Sequence, residues 1–135
     1  MSGPRGRVEV VGEGDLLEAV EAADGGDVRV YSISTAGRSD RRGFFDAVRE
    51  SLPLDPPLAG SRSWDALADS LWGGINSLGG PSVLIIWRGS AGFRELSPDE
   101  YGMACDVLND VAESLGDPAA TAGDPKNVTV FIVQD

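Results

Sequence analysis

Two aspartates four residues apart, Asp65 and Asp69, are the side chains whose type and spacing could most readily act on another molecule. Four residues is about one helical turn, so in a helix both carboxylates lie on the same face. Like charges at this spacing destabilise a helix by roughly a few tenths of a kcal/mol. The dipole of a helix that begins near Trp64 favours the charge on Asp65 but not the charge on Asp69. Asp69 therefore has no evident structural role and is a candidate for binding.

The segment that carries both aspartates, residues 64–72, has the pattern of a short amphipathic helix. Ser63 is a candidate N-cap, because its hydroxyl can accept a free backbone N–H of the first turn. The apolar residues that share one face and predict contact with a core are Trp64, Leu67 and Leu71. Trp72 lies beside the aspartates and could belong either to the core or to a binding surface. Gly73 and Gly74 predict the end of the helix.

A second acidic face is predicted on the last helix, which runs from Pro98 to about residue 115, with Ser97 as a candidate cap. The acidic residues of this face are Asp106, Asp110, Glu113 and Asp117. The apolar residues of the opposing face are Ala104, Val107, Leu108, Val111 and Leu115. No Lys or Arg lies between Pro98 and Asp117. A single helix of this kind is usually just solvated, but two unneutralised acidic faces in one small domain favour a binding role.

The composition predicts one domain of 135 residues with a modest core, because 41% of the residues are hydrophobic. The net charge of −11 argues against binding to nucleic acid or to an anionic membrane. It favours a basic protein partner that is attracted electrostatically. Because the sequence has no signal peptide and no stretch of about 18 apolar residues, we expect a cytoplasmic protein without a membrane span.

Several kinds of chemistry lack the residues that they need. The sequence has no His, which removes the commonest general base, the Ser-His and Cys-His nucleophile arrangements and most zinc sites. No glycine-rich segment has nucleotide-binding spacing. The single cysteine, Cys105, excludes an internal disulfide. We therefore expect a protein that is not an enzyme and that has neither a cofactor nor a metal.

The pattern of elements predicts an α/β domain with a small parallel sheet of three strands. The three strands are predicted at residues 28–34, 83–87 and 128–133, and the helices that pack on them at residues 40–52, 63–72 and 98–115. Residues 8–11 and 15–23 are candidates for an extra strand and helix. We thus divide the chain into an N-terminal extension, residues 1–27, and a main domain, residues 28–135. On this division, deletion of residues 1–25 should leave a folded protein.

This arrangement resembles the barstar family, the intracellular protein inhibitors of small secreted microbial ribonucleases. The resemblance spans residues 28–135 and is most specific at residues 64–71, where a Trp-Asp-Ala-Leu-x-Asp core lies between a Pro-containing loop and a strand that ends in Trp87-Arg88. It implies a barstar-like fold in which the first strand of residues 28–135 is central.

The resemblance also implies roles for individual carboxylates. The family's two inhibitory helix aspartates correspond to Asp65 and Asp69, and its carboxylates on the C-terminal helix correspond to Glu113 and Asp117. In the family, the second aspartate fills the anion site where the ribonuclease binds an RNA phosphate. That role suits Asp69.

The sequence departs from the family where aromatic residues are expected. Ala68 lies between the aspartates, Gly74 lies just after the helix, and residues 58–60 of the loop are Leu, Ala and Gly. Trp72 could supply the missing apolar anchor from the next turn. The residues expected to contact a partner are Asp65, Ala68, Asp69, Trp72, Gly74, Glu113 and Asp117.

The leading functional hypothesis is a stoichiometric inhibitor of a small, basic, guanyl-preferring microbial ribonuclease, monomeric when free, that covers the active site with its acidic helix face. One alternative is an acidic interaction or immunity module against another toxin or a nucleic-acid-binding protein. A further alternative is a receiver-like or anti-sigma-antagonist-like regulatory domain. That alternative needs a phosphorylatable residue at the carboxyl end of a strand, and Ser32 or Ser34 is the best candidate.

Overall fold

The computed structural model describes residues 7–24, 28–55, 57, 63–78 and 82–133. Within these ranges, the strands are β1 (Arg7–Val11), β2 (Val28–Ser34), β3 (Ser82–Arg88) and β4 (Asn127–Val133). The helices are α1 (Glu13–Asp24), α2 (Arg41–Ser51), α3 (Trp64–Asn76), α4 (Ser90–Leu96) and α5 (Pro98–Leu115). The predicted α/β class is confirmed, and the candidate extra strand and helix both form.

The strands form one parallel sheet of four strands in the order β1-β4-β3-β2. The expectation of three strands is therefore wrong by one, because β1 pairs with β4. The expectation that the first strand of residues 28–135 is central is also wrong, because β2 forms an edge. A central parallel strand needs apolar residues on both faces. Residues Val83 to Trp87 of β3 are all buried, whereas Arg29, Val30 and Ser32 of β2 are exposed.

A cluster of aromatic rings joins the helices to one face of the sheet. We call this the first face, and its residues on β3 are Val83, Ile85 and Trp87. The buried residues on this side form the first-face core. Trp87 of β3 lies at its centre, with ring centroids 5.0 Å from Phe44 of α2, 5.9 Å from Phe93 of α4 and 5.5 Å from Tyr101 of α5. Its indole Nε1 donates to Thr35 Oγ1 at 2.9 Å, so the polar atom of this buried ring has a partner. This cluster fixes three helices on the same side of the sheet.

Helix α4 was not predicted from the sequence, because seven residues are too few for a clear helical period. It begins after Gly89, which has a left-handed backbone conformation with φ of 70°. A Cβ built at Gly89 would lie 2.6 Å from the backbone N of Ala36. Glycine therefore allows the chain to turn here against the end of β2.

The second face of the sheet is covered, within the described residues, by α1. Leu16 of α1 is 1% exposed and packs with a separate cluster of buried residues, which are Leu84, Ile86, Phe131 and Val133. An ion pair between Glu13 and Arg88, at 3.0 Å, joins the start of α1 to the end of β3. Residues 7–24 thus contribute to the core, which argues against the expectation that residues 1–25 are dispensable for folding.

Helix α3 does not end at Gly73 and Gly74, as the sequence predicts, but continues to Asn76. Both glycines lie against the chain that follows α2. A Cβ on Gly73 would collide with the carbonyl oxygen of Asp55, and a Cβ on Gly74 with that of Pro53. The Asp55 N–H donates to the Ser70 carbonyl at 3.0 Å, so this segment is bonded to α3. The glycines therefore permit close approach of two backbones rather than stopping the helix.

We predict that Leu16→Ala lowers the free energy of unfolding by about 2–4 kcal/mol, because it removes the buried anchor of α1. Leu17→Ala is the matched control, since Leu17 is 64% exposed and should change stability by less than about 0.5 kcal/mol. Urea denaturation measures both. Equal, small effects would mean that α1 contributes little to the stability of the sheet.

We also predict that Gly74→Ala destabilises the protein by about 1–3 kcal/mol, since the added methyl group must displace the backbone at Pro53. Gly102→Ala is its control. Gly102 lies within α5, and a Cβ there meets nothing within 4 Å. This second substitution should stabilise the protein by about 0.5–1 kcal/mol. Thermal unfolding of the two variants tests the prediction, which a neutral Gly74→Ala would contradict.

Candidate functional site

Helix α3 presents its two aspartates to solvent. Ser63 Oγ accepts the N–H of Ala66 at 3.3 Å, which confirms the predicted N-cap. The three apolar residues assigned to the core, Trp64, Leu67 and Leu71, are 7%, 0% and 0% exposed. Asp65 and Asp69 lie on the opposite side and are exposed. The orientation of α3 that the sequence predicts is therefore confirmed.

The described basic side chains make their salt bridges away from this face. These bridges are Arg38–Glu50, Arg41–Glu100, Arg49–Asp46 and Arg88–Glu13. Among the described residues, neither Asp65 nor Asp69 takes part in a salt bridge. The pair therefore keeps its negative charge available to another molecule.

Trp72 joins the end of α3 to α5. Its ring is partly buried and packs against the first-face core, and its Nε1 donates to Ser114 Oγ at 3.0 Å. The ring is thus anchored from within, as the core alternative requires, and because it retains some exposure its contact with a partner stays a prediction. The contact with Ser114 was not predictable from local sequence, because it depends on how two distant helices align.

The beginnings of α3 and α5 are also joined, through Arg41. Its guanidinium makes two hydrogen bonds to the Glu100 carboxylate, at 2.8 and 2.9 Å, and lies 5.5 Å from the centroid of the Trp64 ring. These hydrogen bonds lower the pKa of Glu100 and raise the pKa of Arg41 from their ordinary values. Because α3 and α5 are linked near both their beginnings and their ends, they run side by side in the same direction.

Helix α5 carries its acidic residues outward. The core face is buried as predicted, and Asp106, Asp110 and Glu113 are exposed. Asp117 is exposed too but lies beyond the helix, which ends at Leu115. Its carboxylate accepts the N–H of Ala119 at 3.0 Å in the following turn. The helical spacing that aligned Asp117 with the other three carboxylates therefore does not apply to it. Ser97 lies at the N-cap position, but its hydroxyl donates to the Ser39 carbonyl instead of capping α5.

Ala68 and Gly74, both expected to contact a partner, differ in their exposure. Ala68 is partly buried against the first-face core and remains next to the aspartates. Gly74 is buried beneath the Pro53 carbonyl, so the expectation that it contacts a partner is wrong. Asp55, which was not predicted at this surface, is exposed and lies over Gly73, one turn after Asp69. The pair Gly73-Gly74 was the sequence signal for the contact between this segment and α3, because small residues on a helix allow another backbone to pack closely.

The hydroxyl groups considered for phosphorylation lie on the edge strand β2. Ser32 and Ser34 are exposed, and Ser34 Oγ accepts the N–H of Ala36 at 3.4 Å. Thr35, just after the strand, is buried, accepts the Trp87 indole N–H and donates to the Gly89 carbonyl at 2.9 Å. These contacts give the carboxyl end of β2 a structural role. Among the described residues, no three His, Cys, Asp or Glu side chains group as metal ligands would.

The candidate site is an acidic protein surface on a parallel α/β domain. The Barstar family model, described as barstar (barnase inhibitor), matches residues 28–132, which is most of the chain. The chain therefore belongs to the Barstar family. Neither the curated proteins nor the solved structures include a significant match. Strand β1 and helix α1 precede the matched region. In the described part of the chain, no helix is long and apolar enough to cross a membrane.

We predict that Glu100→Gln lowers stability at neutral pH and that the difference from wild type disappears in acid. The pKa of Glu100 is lower in the folded protein than its ordinary value of 4.5. The bridge to Arg41 therefore contributes stability above about pH 4.5, and that contribution is lost as the pH falls through the lower, folded-state pKa. Urea denaturation between pH 2 and 7 measures this, with Glu95→Gln, an exposed residue of α4, as control. A difference that is independent of pH would contradict it.

Proposed function

We propose that this protein is a stoichiometric inhibitor of a small, basic, guanyl-preferring microbial ribonuclease, whose active site it covers with the outer face of α3. The observation that carries the proposal is the pair Asp65 and Asp69, exposed on a capped helix and outside any salt bridge of the described residues, in a chain of the Barstar family. A ribonuclease active site must be basic to bind RNA phosphates, so such a pair complements it.

Asp69 is the central residue of this proposal. It lies in the middle of α3, where neither the helix dipole nor a described cation compensates its charge. In a complex, its carboxylate would occupy the anion site of the ribonuclease and accept hydrogen bonds from the basic residues there. Such charge-assisted bonds are strong when water is excluded around them. Asp65, one turn earlier, would contact the same basic cleft nearer its rim.

The surrounding residues would form the remainder of the interface. Glu113 extends the acidic surface from α5, Asp117 extends it from the turn after α5, and Asp55 extends it on the opposite side of α3. Ala68 and the exposed part of Trp72 supply apolar contact beside the carboxylates, and Gly74 is excluded because it is buried. The net charge of −11 would accelerate encounter with a basic enzyme. We expect the free inhibitor to be a monomer that acts in the cytoplasm.

The direct test is to titrate a guanyl-preferring microbial ribonuclease with the protein and to measure the cleavage of RNA. We expect activity to fall linearly to near zero at one equivalent. A basic ribonuclease of unrelated fold serves as control and should keep its activity. If both enzymes are inhibited equally and the inhibition vanishes at high salt, the protein acts on them only as an unspecific polyanion. That result would favour the alternative of an acidic module directed at another protein. Full activity at a several-fold excess would contradict the proposal.

We predict that Asp69→Ala weakens binding to the ribonuclease by about 3–5 kcal/mol, because it leaves the partner's buried cations unpaired. The stability of the free protein should stay the same or rise by a few tenths of a kcal/mol, since repulsion with Asp65 is removed. Asp65→Ala should weaken binding less. Titration calorimetry and thermal unfolding measure the two quantities.

The control for these substitutions is Glu18→Gln. Glu18 is exposed on α1, which packs on the opposite face of the sheet from α3. It removes one negative charge without touching the proposed surface, so it reports the effect of net charge alone. If Asp69→Ala behaves like this control in binding but lowers stability, Asp69 has a structural role and the assignment fails.

A further inference from the structure

The proposed surface is built on two helices, so its shape depends on how α5 sits relative to α3. The carboxylates Asp65 and Asp69 belong to α3, and Glu113 belongs to α5. Near the beginnings of the helices, Arg41 bridges Glu100 and the Trp64 ring. Near their ends, the link is the hydrogen bond from Trp72 Nε1 to Ser114 Oγ, at 3.0 Å.

This second link lies next to the residues proposed to bind. Trp72 follows Asp69 by three residues, and Ser114 directly follows Glu113. Asp110 precedes Ser114 by four residues and so lies on the flank of α5 that faces α3. Because the helices run in the same direction, one turn back from the bond reaches Asp69 on α3 and Asp110 on α5 at a similar height. The bond therefore ties the two acidic helix faces together where they meet.

We propose that Trp72 is a positioning residue of the inhibitory surface, which acts through Ser114 to hold Glu113 and Asp110 of α5 in register with Asp69 of α3. This inference rests on the proposed function. A surface that is already arranged for its partner binds more tightly, since it loses less conformational freedom in the complex. The ring also fills space against the core, and its indole N–H finds a partner in Ser114, so the same bond that satisfies a polar atom joins the two helices.

The substitutions that test this are Trp72→Phe and Ser114→Ala, because each removes the hydrogen bond and leaves the helices packed. The loss of one hydrogen bond corresponds to about a five-fold change in an equilibrium constant. We expect Ser114→Ala to weaken binding to the ribonuclease by up to about five-fold, because the bond is present before binding and its loss acts through the arrangement of the free surface. Trp72→Phe should weaken binding at least as much, since it also trims the apolar contact of the ring. The double variant should bind no more weakly than Trp72→Phe alone, because both substitutions remove the same bond. Losses that multiply in the double variant would overturn the inference, as they would mean that the two residues affect binding independently of the bond between them.

The second readout is coupling to α5. We expect Glu113→Gln to weaken binding clearly in the wild-type background and by a significantly smaller factor in the Trp72→Phe background, since Glu113 is then no longer held in place. A purely structural role for Trp72 predicts the same factor in both backgrounds, and that result would overturn the proposal. Association measured at two salt concentrations would separate this effect from general steering.

Trp87→Phe is the matched control. It makes the same chemical change in a ring whose Nε1 also donates to a hydroxyl, that of Thr35, but in the core beneath α2 and α4. It should lower the melting temperature at least as much as Trp72→Phe and leave the affinity within two-fold. If Trp72→Phe also leaves the affinity unchanged, the positioning role fails while the inhibitory function stands. If the wild-type protein itself does not bind the ribonuclease, the proposed function fails and this inference fails with it.

Discussion

The burial of β3 and β4 on both faces is the constraint on which the rest of the structure depends. Residues 83–87 and 130–133 are all buried, so the sheet cannot leave either face open to water. The first face is covered by α2, α3, α4 and α5, and the second by α1. This cover fixes the rotation of α3, because Leu67 and Leu71 must face the sheet. The same rotation directs Asp65 and Asp69 outward, so the acidic face is a consequence of how the core is filled.

Charge is distributed unevenly over the molecule. Arg41 and Arg49 of α2 pair with Glu100 and Asp46. Arg38, just before α2, pairs with Glu50, and Arg88 pairs with Glu13. The only lysine of the sequence, Lys126, is 5% exposed, and its Nζ donates to the Leu78 carbonyl at 2.7 Å. These cations stabilise helices and loops inside one molecule. The exposed carboxylates of α3 and α5 therefore dominate the electric field that a protein meets when it approaches this surface.

Local patterns predicted most of the fold and the orientation of the site, because a buried strand and an amphipathic helix each leave a periodic signal in the sequence. These periodic patterns do not predict features that depend on contacts between residues distant in the chain. Gly73 and Gly74 look the same whether they end a helix or admit a neighbouring backbone, and only the position of Pro53 and Asp55 decides between them. The bond of Trp72 to Ser114 joins residues 42 positions apart and has no local signature. The alternation of apolar and polar residues in β2 fits its edge position, whereas the family resemblance implied a central one.

The segment before the family match stabilises the sheet from the face opposite the proposed binding surface. Strand β1 pairs with β4, which would otherwise be an exposed edge, and α1 adds Leu16 to the second-face core. Both elements lie outside residues 28–132, and α1 lies on the face opposite α3. Substitutions in α1 can therefore change the stability of the sheet without altering the carboxylates of α3. Because the apolar residues of α3 belong to the core on the other face of the same sheet, a sheet held firmly by α1 is also a rigid support for the proposed binding surface.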